Sequence, residues 1–154
     1  MSVKISPFLS ESEPRRLGSA DALELAQLEA ACFSKPWTER QFTEAFNRSD
    51  FYAIGICLGG QLAAYVSLSV IQPDAEILNI ATKEAFRRQG LARTLLLHVA
   101  GNLSEWGVDR LLLEVRQNNK PANALYGKLG FKYAGRRKRY YQDPDEDALL
   151  MIYE

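Results

Sequence analysis

Arg87-Arg88-Gln89-Gly90-Leu91-Ala92 joins two stretches of different hydrophobic period, and that junction decides how the chain folds. Before it, Ile77-Leu78-Asn79-Ile80-Ala81 is an apolar run of strand length. After it, Leu91, Leu95, Val99, Leu103 and Trp106 recur close to one face of a 3.6-residue helix. The pattern predicts strand, glycine turn, helix. Glycine at such a turn lets backbone approach a ligand closely, and the first amides of the helix have no intrahelical partners. That combination suits a phosphate. A single glycine matches neither the dinucleotide fingerprint nor the Lys-Ser/Thr phosphate loop.

Working outward, Pro14 to Gly18 reads as a short edge strand, since proline is tolerated there. Ser19 or Asp21 is expected to cap a helix carrying Leu23, Leu25, Leu28, Ala31 and Cys32, which Pro36 stops. Thr38 and Gln41 form a capping box for a second helix ending near Asn47. Phe51 to Leu58 and Gln61 to Ile71 are strands joined by a Gly59-Gly60 hairpin turn. Glu76 to Thr82 leads into the Gly90 loop, and Asp109 to Arg116 follows the long helix as a parallel strand. Asn119 to Leu129 is a helix ending at Gly130. Phe131 to Tyr141 and Asp147 to Tyr153 form an antiparallel pair around Asp143-Pro144-Asp145. This order predicts an α/β fold, a mixed, mostly antiparallel sheet of seven strands with helices on both faces.

Length and composition narrow the function. The 154 residues fit one domain, 1–154, with residues 1–13 as a loose lead-in. Nineteen basic and nineteen acidic residues cancel, so no global field draws the chain to nucleic acid or an anionic membrane. Cys32 and Cys57 lie far apart, with no Cys-x-x-Cys and no histidine cluster, so no metal site is expected and both read as buried thiols of a reducing compartment. No apolar run has the ~18 residues of a membrane span, and the first residues lack the apolar core of a signal peptide. A soluble cytoplasmic protein follows, expected to be a monomer or weak dimer. His98, within the long helix, reads as structural.

Two further stretches carry chemistry. In Arg110-Leu111-Leu112-Leu113-Glu114-Val115-Arg116, period-2 alternation puts Leu112, Glu114 and Arg116 on one face. A carboxylate among leucines is costly unless paired or functional. Glu114 is therefore either a general base or one half of an ion pair, with Arg116, its same-face neighbour, or with another cation. Asn118 to Phe131 then places Asn119, Ala122, Leu125, Tyr126, Gly130 and Phe131 in one helix and its exit. Arg136-Arg137-Lys138-Arg139 is the dense basic run, read as a solvated strand end. The Asp143, Asp145, Glu146, Asp147 cluster is read either as a polar hairpin tip or as an attractor for a basic peptide, with Tyr140 and Tyr141 along its path.

The Arg-x-x-Gly-x-Ala loop and the Asn-x-x-Ala-x-x-Leu-Tyr-x-x-x-Gly-Phe segment resemble the GNAT superfamily of N-acetyltransferases. Leu113 to Arg116, Arg139-Tyr140-Tyr141, Glu146 to Met151 and Pro36-Trp37-Thr38-Glu39 narrow the resemblance to the RimI type, from about residue 20 to the end. That family acetylates the N-terminal α-amine of a small-subunit ribosomal protein. The resemblance implies acetyl-CoA as co-substrate and no metal. It implies cofactor binding by Ile80, Ala81, Thr82, Arg87, Arg88, Gln89, Gly90, Leu91, Ala92, Arg93, Asn119 and Tyr126. Glu114 would be the general base and Tyr126 the general acid, with Trp37, Glu114, Tyr140 and Tyr141 lining the acceptor site. Two departures bear on the acceptor: the Gln142 to Asp145 tip is shorter than the family's, and the lead-in is longer.

The chemistry matches a single carboxylate. Deprotonating an α-amine of pKa about 7.7–8.0 costs about 1 kcal/mol at pH 7, against about 5 for lysine. No residue need be acylated, so direct transfer is expected. Two other readings stay open: transfer to a lysine side chain or a small-molecule amine, and a non-catalytic sensor that binds acyl-CoA.

Overall fold

A computed structural model of the chain describes residues 13–142 and 144–154. The expected lead-in, apart from Glu13, and Asp143 of the acidic cluster lie outside the described residues. The seven strands are β1 (Arg15–Arg16), β2 (Phe51–Leu58), β3 (Gln61–Ile71), β4 (Asp74–Thr82), β5 (Arg110–Arg116), β6 (Lys132–Tyr141) and β7 (Glu146–Tyr153). The α-helices are α1 (Ala22–Cys32), α2 (Glu39–Phe46), α3 (Leu91–Asn102) and α4 (Lys120–Leu129). The strands run β1-β2-β3-β4-β5-β7-β6 in one mostly antiparallel sheet, with β4 and β5 parallel. The fold is therefore α/β, with the element order that the periodicities predict. The chain forms two compact units: one of residues up to Leu68 with Asn79–Val99, the other of Ser69–Leu78 with Ala100–Glu154.

In the first unit, Leu25 and Leu28 of α1, Phe42 and Ala45 of α2, Phe51 and Ala53 of β2, Leu62 and Tyr65 of β3 and Ala81 of β4 belong to one buried cluster. The face of α1 differs from expectation. It buries Ala22, Leu25, Leu28 and Glu29, while Leu23 is 52% exposed. Residues two apart on a helix point to opposite sides, so Leu23 and Leu25 cannot share the core. Asp21 precedes α1 without capping it: its carboxylate instead accepts from the Gly18 amide at 2.9 Å and pairs with Arg15 at 3.0 Å. The capping box of α2 is as predicted, with Gln41 N donating to Thr38 Oγ1 at 3.2 Å and Thr38 N donating to Gln41 Oε1 at 2.8 Å.

The second unit is organised by β7. It pairs antiparallel with β5, Glu114 opposite Leu150 and Arg116 opposite Ala148, and on its other edge with β6, Gly135 opposite Leu150 and Arg137 opposite Ala148. The expected hairpin of the last two strands is present, but the final strand occupies the inner position. Leu111, Leu113 and Val115 of β5 are buried, and the Leu112, Glu114, Arg116 face is half-buried. Asn119 caps α4 by accepting from Ala122 N at 3.3 Å, and Gly130, at φ +102°, closes it with Phe131 N donating to Tyr126 O at 3.0 Å. Helix α3 stops at Asn102, so Leu103 stays buried beyond its end while Trp106 lies outside the helix. Among the described residues, no helix is long and apolar enough to cross a membrane.

Gly55 of β2 marks the tightest approach in the first unit. A Cβ there would lie 2.7 Å from Leu62 Cδ1 and 2.9 Å from Leu17 Cδ1. Gly55→Ala is expected to lower unfolding stability by about 1–3 kcal/mol, the usual cost of overpacking a filled core. A urea midpoint equal to that of the parent chain would show that both leucines repack freely.

Candidate active site

The glycine turn lies in the first unit. Strand β4 ends at Thr82, a 3₁₀ turn covers Glu84–Phe86, and α3 begins at Leu91. Between them Arg88 has φ +65° and Gly90 φ +76°. The Gly90 carbonyl accepts from Thr94 N at 3.0 Å and Thr94 Oγ1 at 2.9 Å, which makes Gly90 the residue that starts the helix. Helix starts are ordinarily closed by a side-chain oxygen, and glycine has none. The amides of Leu91, Ala92 and Arg93 thus have neither an intrahelical acceptor nor a cap from Gly90. A Cβ on Gly90 would meet nothing within 4 Å, so space above the turn is open and the positive φ is what selects glycine. Arg88 takes the same left-handed region at a cost of about 1–2 kcal/mol, strain of the kind stored at binding loops.

The cations of this loop divide. Arg88 and Arg93 are exposed, as is Gln89. Arg87 is exposed as well but tied to the strand end: its Nε donates to the Thr82 carbonyl at 3.1 Å and its Nη2 lies 3.7 Å from Cys32 Sγ. The Cys32 thiol in turn reaches the Thr82 carbonyl at 3.5 Å. Arg87 therefore braces the end of β4. Of the strand residues, Ala81 is buried while Ile80 and Thr82 are half-buried. Cys32 and Cys57, expected to be buried, are both half-buried free thiols.

Glu29 is the feature of this unit that sequence reading missed. It is 1% exposed, yet accepts from the Tyr65 hydroxyl, from Trp37 N at 3.1 Å and from Asn79 Nδ2 at 3.4 Å. Burial, followed by the Glu29 charge, pushes the Tyr65 hydroxyl up. The signal was present: Leu25, Leu28, Glu29 and Cys32 recur at helical spacing, which puts a carboxylate in the core-facing stripe. The network ties α1 and β3 to β4 and to the Pro36-Trp37 turn. Trp37 itself packs in the aromatic cluster, 5.2 Å from the Phe42 ring and 5.8 Å from Phe51.

In the second unit, the Glu114 carboxylate pairs with Arg137 of β6, Oε1 to Nε 2.9 Å. Of the two partners the sequence allows, Arg116 or another cation, the structure has the second, and Arg116 is engaged elsewhere. Its guanidinium meets Glu146 at 3.3 Å, the Gln142 carbonyl at 3.1 Å and the Pro144 carbonyl at 3.4 Å, and lies 4.5 Å from the centre of the Tyr141 ring. Tyr141 is half-buried, and burial with the Glu114 charge raises its hydroxyl. Tyr126 is buried, and burial plus the Tyr141 charge push its hydroxyl up to about 12. Tyr141 thus stands electrostatically between Glu114 and Tyr126. Tyr140 is half exposed, its ring 5.2 Å from Tyr141 and 5.3 Å from the Arg137 guanidinium.

Among the described residues of the acidic cluster, Glu146 and Asp147 are paired with arginines. Glu146 takes Arg116 and the Asn118 amide at 2.6 Å, while Asp147 takes Arg136 at 3.5 Å and the Arg139 amide at 2.9 Å. Asp145 stays exposed. The basic run is likewise half committed, to Asp147 and Glu114, where a fully solvated strand end was expected.

The acetyltransferase (GNAT) family model matches residues 22–131. A ribosomal protein bS18-alanine N-acetyltransferase of Escherichia coli is 39% identical over 127 residues, covering 80% of this chain and 84% of that protein. An N-alpha-acetyltransferase RimI of Mycobacterium tuberculosis is 32% identical over 151 residues, covering 92% and 94%. The crystal structure of the ribosomal-protein-S18-alanine N-acetyltransferase from Escherichia coli superposes with a TM-score of 0.83 at 34% identity, over 90% of each chain.

Two outcomes follow from the geometry. Glu29→Ala leaves three donors without their acceptor, each worth about 1–3 kcal/mol, so urea unfolding should lose at least about 3 kcal/mol, and Glu29→Gln less. A small loss would mean that water replaces the carboxylate. For Tyr126, the folded value of about 12 lies above the unfolded value near 10, so the unfolded chain releases its proton first. The contribution is whole below pH ~10 and is lost between pH ~10 and ~12, by about 3 kcal/mol. Unfolding measured across that window should fall less steeply for Tyr126→Phe than for the parent chain; parallel curves would refute the burial argument.

Proposed function

This chain belongs to the acetyltransferase (GNAT) family, and from that premise we propose that it acetylates the N-terminal α-amine of a small-subunit ribosomal protein, in the cytoplasm, with acetyl-CoA as acetyl donor. The observation that carries the reading is Glu114, a half-buried carboxylate on the polar face of β5 whose charge acts on the Tyr141 hydroxyl, which in turn acts on Tyr126. The names of the relatives support the substrate, since both cover most of the chain.

The roles follow from the chemistry. The amides of Leu91, Ala92 and Arg93 hold the pyrophosphate, with Arg88 and Arg93 adding charge outside it. Ile80 to Thr82 bind the pantetheine arm, and Asn119 and Tyr126 also contact the cofactor. Acetyl-CoA supplies an acetyl group activated as a thioester. Glu114 accepts one proton from the acceptor ammonium, directly or through water. The freed amine forms a C–N bond at the acyl carbon as the C–S bond breaks, and Tyr126 supplies the proton that leaves with the thiol. A hydroxyl near 12 stays protonated at neutral pH. Full transfer to a thiolate of pKa near 8.5 is uphill by about 5 kcal/mol, well inside the barrier of about 16 kcal/mol for ordinary turnover. The second proton of the acceptor nitrogen returns through water to the Tyr126 phenolate, and Glu114 releases its proton to solvent, so that one proton is set free per turnover.

Intact-mass analysis tests the reading with a peptide beginning Ala-Arg-Tyr, beside the same peptide with a blocked α-amine and a free lysine. Acetylation of the free terminus alone is expected, and Glu114→Gln should slow turnover by about 10²–10⁴-fold. Transfer to lysine would mean a relaxed amine site. Binding of acetyl-CoA without transfer to either peptide would move the acceptor to small amines, or the protein to a sensor.

A further inference from the structure

We infer that Arg137 is a resident counter-cation on Glu114, which the acceptor ammonium displaces on binding, so that Arg137 sets acceptor affinity. The inference rests on Glu114 being the base of the proposed reaction.

Two guanidiniums lie on the strand face that carries Glu114. The register puts Arg116 of β5 and Arg137 of β6 on either side of Ala148 of β7. Alanine between them presents one methyl group, and Arg137 reaches Glu114 at 2.9 Å, two residues back along β5 from Arg116. The two arginines are held very differently. Arg116 is clamped by a carboxylate and two backbone carbonyls and stacks on Tyr141. Arg137 is held by Glu114 and the Tyr140 ring, and its side chain is 61% exposed. The clamped guanidinium serves the hairpin; the exposed one covers the carboxylate.

The backbone at Arg137 is specialised. The β6–β7 register shifts between Arg137 and Tyr141, and Arg139 within that bulge has φ +52°. Bulges re-aim side chains, here those flanking Glu114. An α-amine with pKa 7.7–8.0 arrives at pH 7 mostly as a monocation. Glu114 carries one negative charge, so a second cation gains little until the first departs. The arginine end of the pair is open to water, while the Glu114 side chain is only 14% exposed. The departing guanidinium is therefore readily solvated, and an arriving ammonium must take its place on the carboxylate. Pairs with an exposed partner contribute a factor of about 1.4 to 5 to an equilibrium. The freed guanidinium keeps the face of Tyr140 as its resting place. The pair thus shields Glu114 between turnovers and gives way to a charged acceptor.

Initial rates on a free-terminus peptide test this with Arg137→Gln, Arg137→Lys and Glu114→Gln in the full chain. Arg137→Gln should lower the peptide KM by about two- to fivefold, Arg137→Lys should hold it near the parent value, and the KM for acetyl-CoA should not move. The N-acetylated product peptide has no ammonium, so it should inhibit the parent and Arg137→Gln equally. An unchanged or raised peptide KM in Arg137→Gln overturns the inference, as does product inhibition that tightens by the same factor. Glu114→Gln keeps the two ideas apart. Full turnover in that variant removes the base itself, whereas lost turnover with an unmoved KM in Arg137→Gln removes only the counter-cation.

Discussion

Backbone pairing of β7 on both its edges is the constraint on which the second unit depends. By lying antiparallel between β5 and β6, it satisfies the main chain of the last strands and fixes which residues share a face. A shift of one residue in either register would turn Glu114 or Arg137 to the opposite side. The influence of Glu114 on Tyr141, and its pairing with Arg137, therefore follow from hydrogen bonds that involve none of those side chains. Arg116, Glu146 and Asn118 reinforce the arrangement by tying the end of β5 to the start of β7.

The first unit solves a different problem. Its core includes a carboxylate, and burying Glu29 without a cation is tolerable because three donors converge on it. Those donors come from β3, β4 and the Pro36-Trp37 turn, so one side chain sets the spacing of elements that the chain connects only at a distance. At the other end of β4, Arg87 and Cys32 converge on the Thr82 carbonyl and steady the strand from which the glycine turn departs. The turn can then hold strained backbone at Arg88 because both its flanks are fixed.

Much of this was legible in the chain. The alternation in β5, the capping box at Thr38 and Gln41, the glycine-started helix at Leu91 and the Asn119-to-Gly130 helix all appear where local pattern put them. The places where structure and pattern differ have two causes. Leu23, one of the apolar residues α1 carries, is exposed because helix phase sets it opposite Leu25. Arg136 and Arg137, in a run that reads as a solvated strand end, meet Asp147 and Glu114, carboxylates on other strands that no local window contains.

The sequence by itself determined the elements, their order and the chemical groups available. Hydrophobic period, glycine at positive φ and side-chain capping act within a few residues, and nothing distant can supply them. Only the tertiary structure decided that the last strand lies inside the sheet, that three donors converge on Glu29 and that Glu114 meets Arg137. Those outcomes come from long-range pairing, where the gain of satisfying backbone and burying side chains is weighed over a whole unit, and no local window contains both partners.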